Sequence, residues 1–211
     1  MTTDAAFWNK IAPKYAAQPV GDPDAFDRKT EITRGLLSPE DVVLEVGCGT
    51  GSLALRLCDS VSHYHALDFS AEMLRIAQEK ADAAGVANIT LHQGAVDPTF
   101  TALGPASVDG VLAFSILHLL DDRPAALAHL FSLMKPGGFF VASTVCLGES
   151  WVPYSAIIKV LHWFGKAPAV VSSIRKDELA AELHAAGFVD VEERDVGAAG
   201  NISFLVARKP A

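Results

Sequence analysis

The sequence has few cysteines, and its N-terminus lacks a long apolar segment. Cys48, Cys58 and Cys146 are scattered, without Cys-x-x-Cys or Cys/His spacing, which argues against a disulfide framework and a structural metal site. We therefore expect a reducing compartment and a metal-independent protein. Residues 1–8 contain neither a basic region nor a signal-peptide run, so a cytoplasmic location is expected.

Basic residues are also scarce. Seventeen lysines and arginines stand against 25 acidic residues, for a formal charge of -8. Nucleic-acid binding needs basic residues clustered on one face, so we expect no nucleic-acid partner. Because no apolar run reaches the roughly 20 residues that span a bilayer, no integral membrane segment is expected. A small molecule is the class of partner that remains.

The sequence does contain a glycine-rich loop directly after an apolar run. Val42–Val46 has the β-branched and aliphatic composition of a strand buried on both faces. Gly47, Gly49 and Gly51 then allow a tight turn against which a ligand can lie. Asp68 ends the next strand-like run about 20 residues later, where an acidic residue in a βαβ unit meets ribose hydroxyls.

Two classes of nucleotide ligand use this arrangement. A dinucleotide loop has the pattern Gly-x-Gly-x-x-Gly, but here the third glycine, Gly51, comes one residue early. Glu45 at the end of the strand would repel a pyrophosphate and attract a cationic amino group or a sulfonium. The loop therefore favours a positively charged nucleoside as its ligand. The alternative is a dinucleotide, which would make the protein a nicotinamide-dependent oxidoreductase.

Four segments together resemble the class I S-adenosylmethionine-dependent methyltransferases. Residues 44–51 look like that family's first motif and residues 67–74 like its second, while 108–120 is similar to the fourth-strand motif and 134–138 to the turn before the fifth strand. The resemblance covers most of the chain. It implies S-adenosyl-L-methionine as the cofactor and methyl transfer to a small acceptor by in-line displacement.

The resemblance also implies which residues bind the cofactor. The glycine loop would line the methionine and ribose parts, Asp68 would hold the ribose, and Phe69 and Met73 would flank the adenine. Many relatives have Gly-Asp-Ala after the third strand, whereas this chain has Gly94-Ala95-Val96-Asp97, so backbone groups of Ala95 and Val96 would contact the adenine edge. The expected cofactor set is Tyr15, Glu45, Gly47, Cys48, Gly49, Gly51, Asp68, Phe69, Met73, Ala95, Val96, Phe114 and Ser115.

Strand-like and helix-like segments alternate, which predicts an α/β fold with a Rossmann-like, seven-stranded, mostly parallel sheet and helices on both faces. The short connection 197–201 implies a C-terminal antiparallel hairpin. We expect a single methyltransferase domain over residues 1–211. Strands are predicted near 42–47, 62–68, 89–93, 108–114, 138–145, 188–195 and 201–208, and helices near 52–59, 71–84, 123–134 and after Lys176.

Two segments fall outside the predicted sheet. Residues 1–37 are expected to form a helical lid over the cofactor, or simply to anchor a helix to the core. Residues 146–174 are expected to form an apolar lid, because their central part is apolar nearly all round. Trp151, Tyr154, Ile158 and His162 would then line the acceptor pocket. A homodimer contact and a membrane-contacting surface are the alternatives.

The chemistry of methyl transfer asks little of a protein. A sulfonium is a good leaving group, so the enzyme mainly holds the acceptor near the methyl group and excludes water. A general base would help a hydroxyl or carbon acceptor. His118, which follows the fourth strand on the side where ligands of parallel sheets bind, is the candidate catalytic residue, and His162 is second. A non-catalytic cofactor-binding subunit remains a further alternative.

Overall fold

The computed structural model describes residues 3–149, 168 and 171–211. These residues form seven strands: β1 (Val42–Val46), β2 (His63–Asp68), β3 (Ile89–Gln93), β4 (Val108–Phe114), β5 (Met134–Val145), β6 (Val189–Glu193) and β7 (Ile202–Arg208). The strands lie in one sheet in the order β3-β2-β1-β4-β5-β7-β6. β1 to β5 pair in parallel, and β7 runs antiparallel to both β5 and β6.

The helices of the described part are α1 (Thr3–Ala17), α2 (Pro23–Arg34), α3 (Ala54–Leu57), α4 (Ala71–Ala83), α5 (Arg123–Leu133) and α6 (Lys176–Ala185). Several begin at a polar residue that accepts a backbone hydrogen bond. The Asp22 carboxylate accepts from the N–H of Ala25 at 3.0 Å, and the Ser70 hydroxyl accepts from the N–H of Met73 at 3.2 Å. These contacts satisfy N–H groups that a helix leaves free in its first turn.

The predicted seven-stranded sheet and its C-terminal antiparallel hairpin are confirmed. Two details differ from the sequence reading. β5 begins at Met134 rather than near residue 138, because Met134 already pairs with Val108 across a register shift. The hairpin places β7 between β5 and β6, so β6 is the edge strand on that side of the sheet and β3 is the edge strand on the other. Residues 94–107, which connect β3 to β4, contain no helix and run as a loop towards the site.

The central strands of the sheet are buried on both faces. On one face, α5 and α6 pack against a cluster that includes Leu44 and Leu127, and on the other, α3 and α4 contribute Leu57 and Leu74 to a cluster that includes Val43. Consecutive residues of β1 therefore point into different cores. This explains why the strand is an unbroken apolar run rather than an alternating one. Within the described part of the chain, no helix is both long and apolar enough to cross a bilayer.

A polar contact and an apolar cluster hold α1 against α4. The Asn9 side-chain oxygen accepts hydrogen bonds from the Ser70 hydroxyl at 2.7 Å and from the N–H of Glu72 at 3.1 Å. Ala12 of α1 is buried with Met73 and Ile76 of α4. The N-terminal helix is thereby fixed beside the turn that follows β2.

Asp109 joins the amino-terminal ends of three neighbouring strands in the middle of the sheet. Its Oδ2 accepts a hydrogen bond from the N–H of Val42 at 2.9 Å. Its two carboxylate oxygens also lie 2.9 and 2.8 Å from the Lys135 ammonium. The carboxylate therefore ties the starts of β1, β4 and β5 together, which gives this residue a structural role.

Replacing Asp109 with alanine is expected to lower the free energy of unfolding by about 1–3 kcal/mol, because the N–H of Val42 loses its partner. Lys135→Met is the matched control. It removes only a partly exposed ion pair, and should cost about 1 kcal/mol or less. Urea denaturation of both variants checks this. Equal losses in the two variants would contradict the role assigned to the Asp109–Val42 bond.

Candidate functional site

The glycine loop lies where the order of the parallel strands reverses, between β1 and β4, which is the usual ligand site of such sheets. The N–H groups of Gly47 and Cys48 both donate to the carbonyl of Leu67, at 2.8 and 3.0 Å. Gly47 has φ +69°, and a Cβ there would lie 2.7 Å from Cγ1 of Ile116. A side chain at this position would meet both backbone strain and a steric clash, so the tight turn requires glycine.

The Asp68 carboxylate connects the glycine loop to the turn after β2. Oδ2 accepts from the N–H of Gly49 and Oδ1 from the N–H of Ser70, both at 2.9 Å. Only 8% of Asp68 is exposed. Burial raises the pKa of Asp68, while the hydrogen bonds from Ser70 and Gly49 act in the opposite direction. Since a carboxylate can accept about four hydrogen bonds, capacity remains for a ligand hydroxyl.

Glu45 lies beneath the loop. It is 3% exposed, its Oε2 accepts from the Tyr64 hydroxyl at 2.9 Å, and the N–H of Ala54 also hydrogen-bonds to it. Burial raises the pKa of Glu45 to about 8, and the nearby Asp68 adds to that rise. Glu45 does not line either cavity described below. Glu45 was expected to bind the cofactor together with the glycine loop. In the structure it lies beneath the loop and outside both cavities.

A cavity of about 400 Å³ opens beside Asp68. This volume lies within the range of sites that hold small molecules. Phe69, Ala95 and Val96, which the sequence analysis assigned to the adenine, line it together with Asp68. Trp8 and Leu119 contribute further apolar wall.

A second, smaller cavity of about 60 Å³ adjoins the first and shares Gly47, Asp68 and Phe69 with it. Ser115 lies here with φ +56°, which is uncommon for a residue other than glycine, and its N–H donates to the carbonyl of Ser143 at 2.7 Å. Such strain is typical of ligand sites. Five more of the expected cofactor residues line this cavity: Tyr15, Gly49, Met73, Phe114 and Ser115 itself. Met73 lines this smaller cavity, whereas Ala95 and Val96 line the larger one.

Tyr15 brings α1 over the glycine loop. Its ring carbon Cε1 would lie 3.9 Å from a Cβ on Gly49. Although 48% of the residue is exposed, desolvation raises the pKa of the Tyr15 hydroxyl, and the charges of Asp68 and Glu45 raise it further. The hydroxyl thus faces the acidic side of the site, and α1 both anchors to the core and contributes to the cavity walls.

The loop after β3 is held in place from two sides. The N–H of Gly94 donates to the carbonyl of Asp68 at 3.0 Å. Further along, the buried ring of Phe100 contacts His92 edge-on at 5.6 Å between ring centroids, and the Phe100 carbonyl lies 3.0 Å from Nε2 of His129. These contacts explain how a loop without a helix keeps Ala95 and Val96 against the cavity.

Besides Glu45, three of the predicted residues that the structure describes are not in the cavity walls. Gly51 has φ +73°, and a Cβ there would lie 3.0 Å from Cβ of Ala77, so it serves the packing of the loop on α4. Cys48 is buried, and this burial raises the pKa of its thiol well above the usual value, which argues against a nucleophile. His118 lines neither cavity.

His118 occupies a short 3₁₀ turn, Leu117–Leu119. Burial and, next, the positive charge of Arg123 lower the pKa of His118 to about 4. Its Nδ1 has no hydrogen-bond partner among the described residues, while its carbonyl accepts from the N–H of Ser172 at 2.8 Å. The imidazole is therefore neutral near pH 7 but a weak base.

The remaining predicted residues belong to the second lid. Trp151, Tyr154, Ile158 and His162 lie outside the described residues, so their place in an acceptor pocket stays a prediction. Within the ranges described, no group of three or more His, Cys, Asp or Glu side chains is arranged to hold a metal ion.

Some of the residues that form the site were not predicted from the sequence. Ile116 and Leu119 were within the fourth-strand motif, but only the structure shows that they face the cavities while Leu117 between them is in the core. Asn9 carried no recognisable signal, because its contact with Ser70 joins residues 61 positions apart.

Comparison with known proteins agrees with this geometry. Residues 43–138 match the family model of the methyltransferase domain. Demethylmenaquinone methyltransferase of Geobacillus stearothermophilus is 31% identical over 189 residues, covering 78% of each chain. O-methyltransferase rstn1 of Aspergillus nomiae is 29% identical over 158 residues, or 73% of this chain and 67% of the relative. Two other curated relatives are much longer proteins, of which the matches span 7% and 4%.

Among solved structures, a SAM-dependent methyltransferase of Thermotoga maritima superposes with a TM-score of 0.71 at 18% identity, covering 97% of this chain and 99% of the other. At that identity the likeness supports the fold alone. The matches to the methyltransferase domain and to the demethylmenaquinone enzyme also establish the family. The chain belongs to the class I S-adenosylmethionine-dependent methyltransferases.

Gly47→Ala is expected to lower the free energy of unfolding by about 1–3 kcal/mol from backbone strain alone, with a further loss from the contact with Ile116. Gly104→Ala serves as the control, because no atom lies within 4 Å of a Cβ built there. It should change stability by less than about 0.5 kcal/mol. Urea denaturation of both variants tests the assignment. Wild-type stability in Gly47→Ala would contradict it.

Proposed function

We propose that this protein transfers a methyl group from S-adenosyl-L-methionine to a small, apolar acceptor. The observation that supports a cationic cofactor most strongly is the pair of buried acids, Glu45 and Asp68, at the glycine loop. Among the described residues, neither acid has an ion-pair partner, and the charge of Asp68 acts on Glu45. Two acids that can ionise without a cationic partner favour a positively charged nucleoside as the ligand.

The residues present fit this cofactor part by part. The larger cavity offers Phe69 and Val96 as apolar walls for an adenine, and Asp68 as the acceptor for ribose hydroxyls. The smaller cavity offers Gly49 and Tyr15 beside a methionine chain. When bound, the cofactor supplies a methyl group already activated by a sulfonium.

The protein's own contribution to transfer is then positional. The loop that begins at Gly47 positions the cofactor. The apolar side chains of Trp8, Phe114 and Ile116 exclude water from the smaller cavity beside it. Holding an acceptor atom in line with the methyl group removes most of the entropic barrier. We propose that this positioning, rather than a base at His118, supplies most of the rate, because a residue with a pKa of about 4 accepts protons poorly at pH 7.

The apolar composition of residues 151–164 supports an apolar acceptor. One matched relative is named for methylation of demethylmenaquinone, which is a quinone, and another for O-methylation. Quinone-like and polyketide-like compounds are therefore the first acceptors to screen. A nicotinamide-dependent oxidoreductase is disfavoured, because Gly51 comes one residue too early for the dinucleotide loop and an ionised Glu45 would repel a pyrophosphate. A cytoplasmic location and a homodimer stay predictions from the sequence.

Calorimetric titration with S-adenosylmethionine is expected to show binding that weakens at least about tenfold, or 1.4 kcal/mol, in Asp68→Ala. Asp97→Ala is the matched control, since Asp97 lines the same cavity but hydrogen-bonds within its own turn, to Thr99. This control should bind within about threefold of wild type, a difference of less than 1 kcal/mol. Thermal melts check that both variants fold.

NADH is titrated in parallel as the rival ligand. Binding of NADH without S-adenosylmethionine would overturn the methyltransferase proposal. Binding of S-adenosylmethionine without transfer to any acceptor in the screen would favour the non-catalytic subunit instead. Transfer of a labelled methyl group to one acceptor, lost when the cofactor is omitted, would support the enzyme.

A further inference from the structure

Glu45 and Tyr64 form a buried pair beneath the glycine loop. Tyr64 is fully buried and Glu45 is 3% exposed, and the Tyr64 hydroxyl donates to Oε2 of Glu45 at 2.9 Å. The N–H of Ala54, at the start of α3, supplies a second hydrogen bond. Two neutral donors only partly offset the loss of hydration of a buried carboxylate, which costs several kcal/mol.

The groups facing Glu45 provide no positive charge. Glu45 interacts electrostatically with Asp68 at the end of β2, with Cys48 in the loop and with Tyr15 in α1. Cys58 interacts electrostatically with Tyr64, the other member of the pair. All of these groups are acids or stay neutral, so ionisation of Glu45 has no counter-charge within the described residues.

The free protein therefore favours the protonated form of Glu45 at neutral pH. Burial raises the pKa of this carboxyl to about 8, with a further rise from Asp68, while the bonds from Tyr64 and Ala54 lower it. Burial and the same carboxylate hold the pKa of Tyr64 well above its usual value. Tyr64 thus keeps its proton and remains a donor.

We propose that binding of the cofactor's positive charge displaces a proton from Glu45, so that the Tyr64–Glu45 pair makes cofactor affinity depend on pH. This inference rests on the proposed function. One positive charge enters the site and one proton leaves the Glu45 carboxyl for the buffer, which keeps the charge of the site balanced. Glu45 is then a positioning residue that acts through the loop without touching the cofactor.

The sign of the pH dependence follows from linkage. Below about pH 8 the free protein holds the proton on Glu45, whereas the bound protein holds less of it, so affinity rises with pH. The rise approaches tenfold for each pH unit when one full proton is released, and it flattens above the pKa of the free protein. By reciprocity, the bound cation lowers the pKa of Glu45 by the same coupling free energy.

Titration calorimetry in two buffers with different ionisation enthalpies measures the protons released. At pH 6.5 and 7.0, wild type should release on the order of one proton when it binds S-adenosylmethionine. Glu45→Gln, which cannot release this proton, should release close to none. The cofactor's own α-amino group titrates near pH 8, and its contribution is shared by both proteins and cancels in the difference.

Two further measurements sharpen the test. S-adenosylhomocysteine lacks the sulfonium charge and should release fewer protons from wild type. Tyr64→Phe removes a donor that stabilises ionised Glu45, so its affinity should rise with pH over a higher range than in wild type. Thermal melts confirm that each variant folds. A merely structural role for the pair would change stability but would leave the proton count unchanged.

The results separate this inference from the function it rests on. Equal proton release by wild type and Glu45→Gln, or by the charged and neutral ligands, would overturn the proton linkage while leaving cofactor binding intact. Absence of any binding of S-adenosylmethionine to wild type would instead overturn the proposed function.

Discussion

The hydrogen bonds of Asp68 hold the site together. One carboxylate oxygen binds the N–H of Gly49 in the loop after β1, and the other binds the N–H of Ser70 at the start of α4. Asn9 then ties α1 to the same Ser70 through its hydroxyl. The glycine loop, the turn after β2 and the N-terminal helix are therefore positioned by one connected set of polar contacts around a single buried acid.

The arrangement has an electrostatic consequence. Asp68 and Glu45 are both buried, and burial raises the pKa of each carboxyl. Buried acids without counter-charge are unfavourable unless something compensates for them. A cationic ligand, as proposed above, would supply that compensation. Backbone strain at Ser115, on the wall of the smaller cavity, is a second feature that the surrounding structure sustains.

The sequence was sufficient for the sheet and the loop, because both leave strong local patterns. The apolar run Val42–Val46 and the glycines after it could adopt few other structures. Two features were not predictable. Whether Glu45 faces the ligand or the core depends on Tyr64, a partner 19 residues away on the next strand. The sequence of the β3–β4 connection was recognised as different from that of relatives. Its contact with His129 could not be predicted, because His129 is 29 residues from Phe100 in the sequence.

We propose that a positively charged nucleoside binds where β1 and β2 end, with its ribose on Asp68. A crystal structure of the complex with S-adenosylmethionine tests it most directly. We predict ribose hydroxyls within hydrogen-bond distance of the Asp68 carboxylate, the adenine against Phe69 and Val96, and Glu45 still covered by the loop. A ligand bound elsewhere, or a ribose without contact to Asp68, would contradict the account.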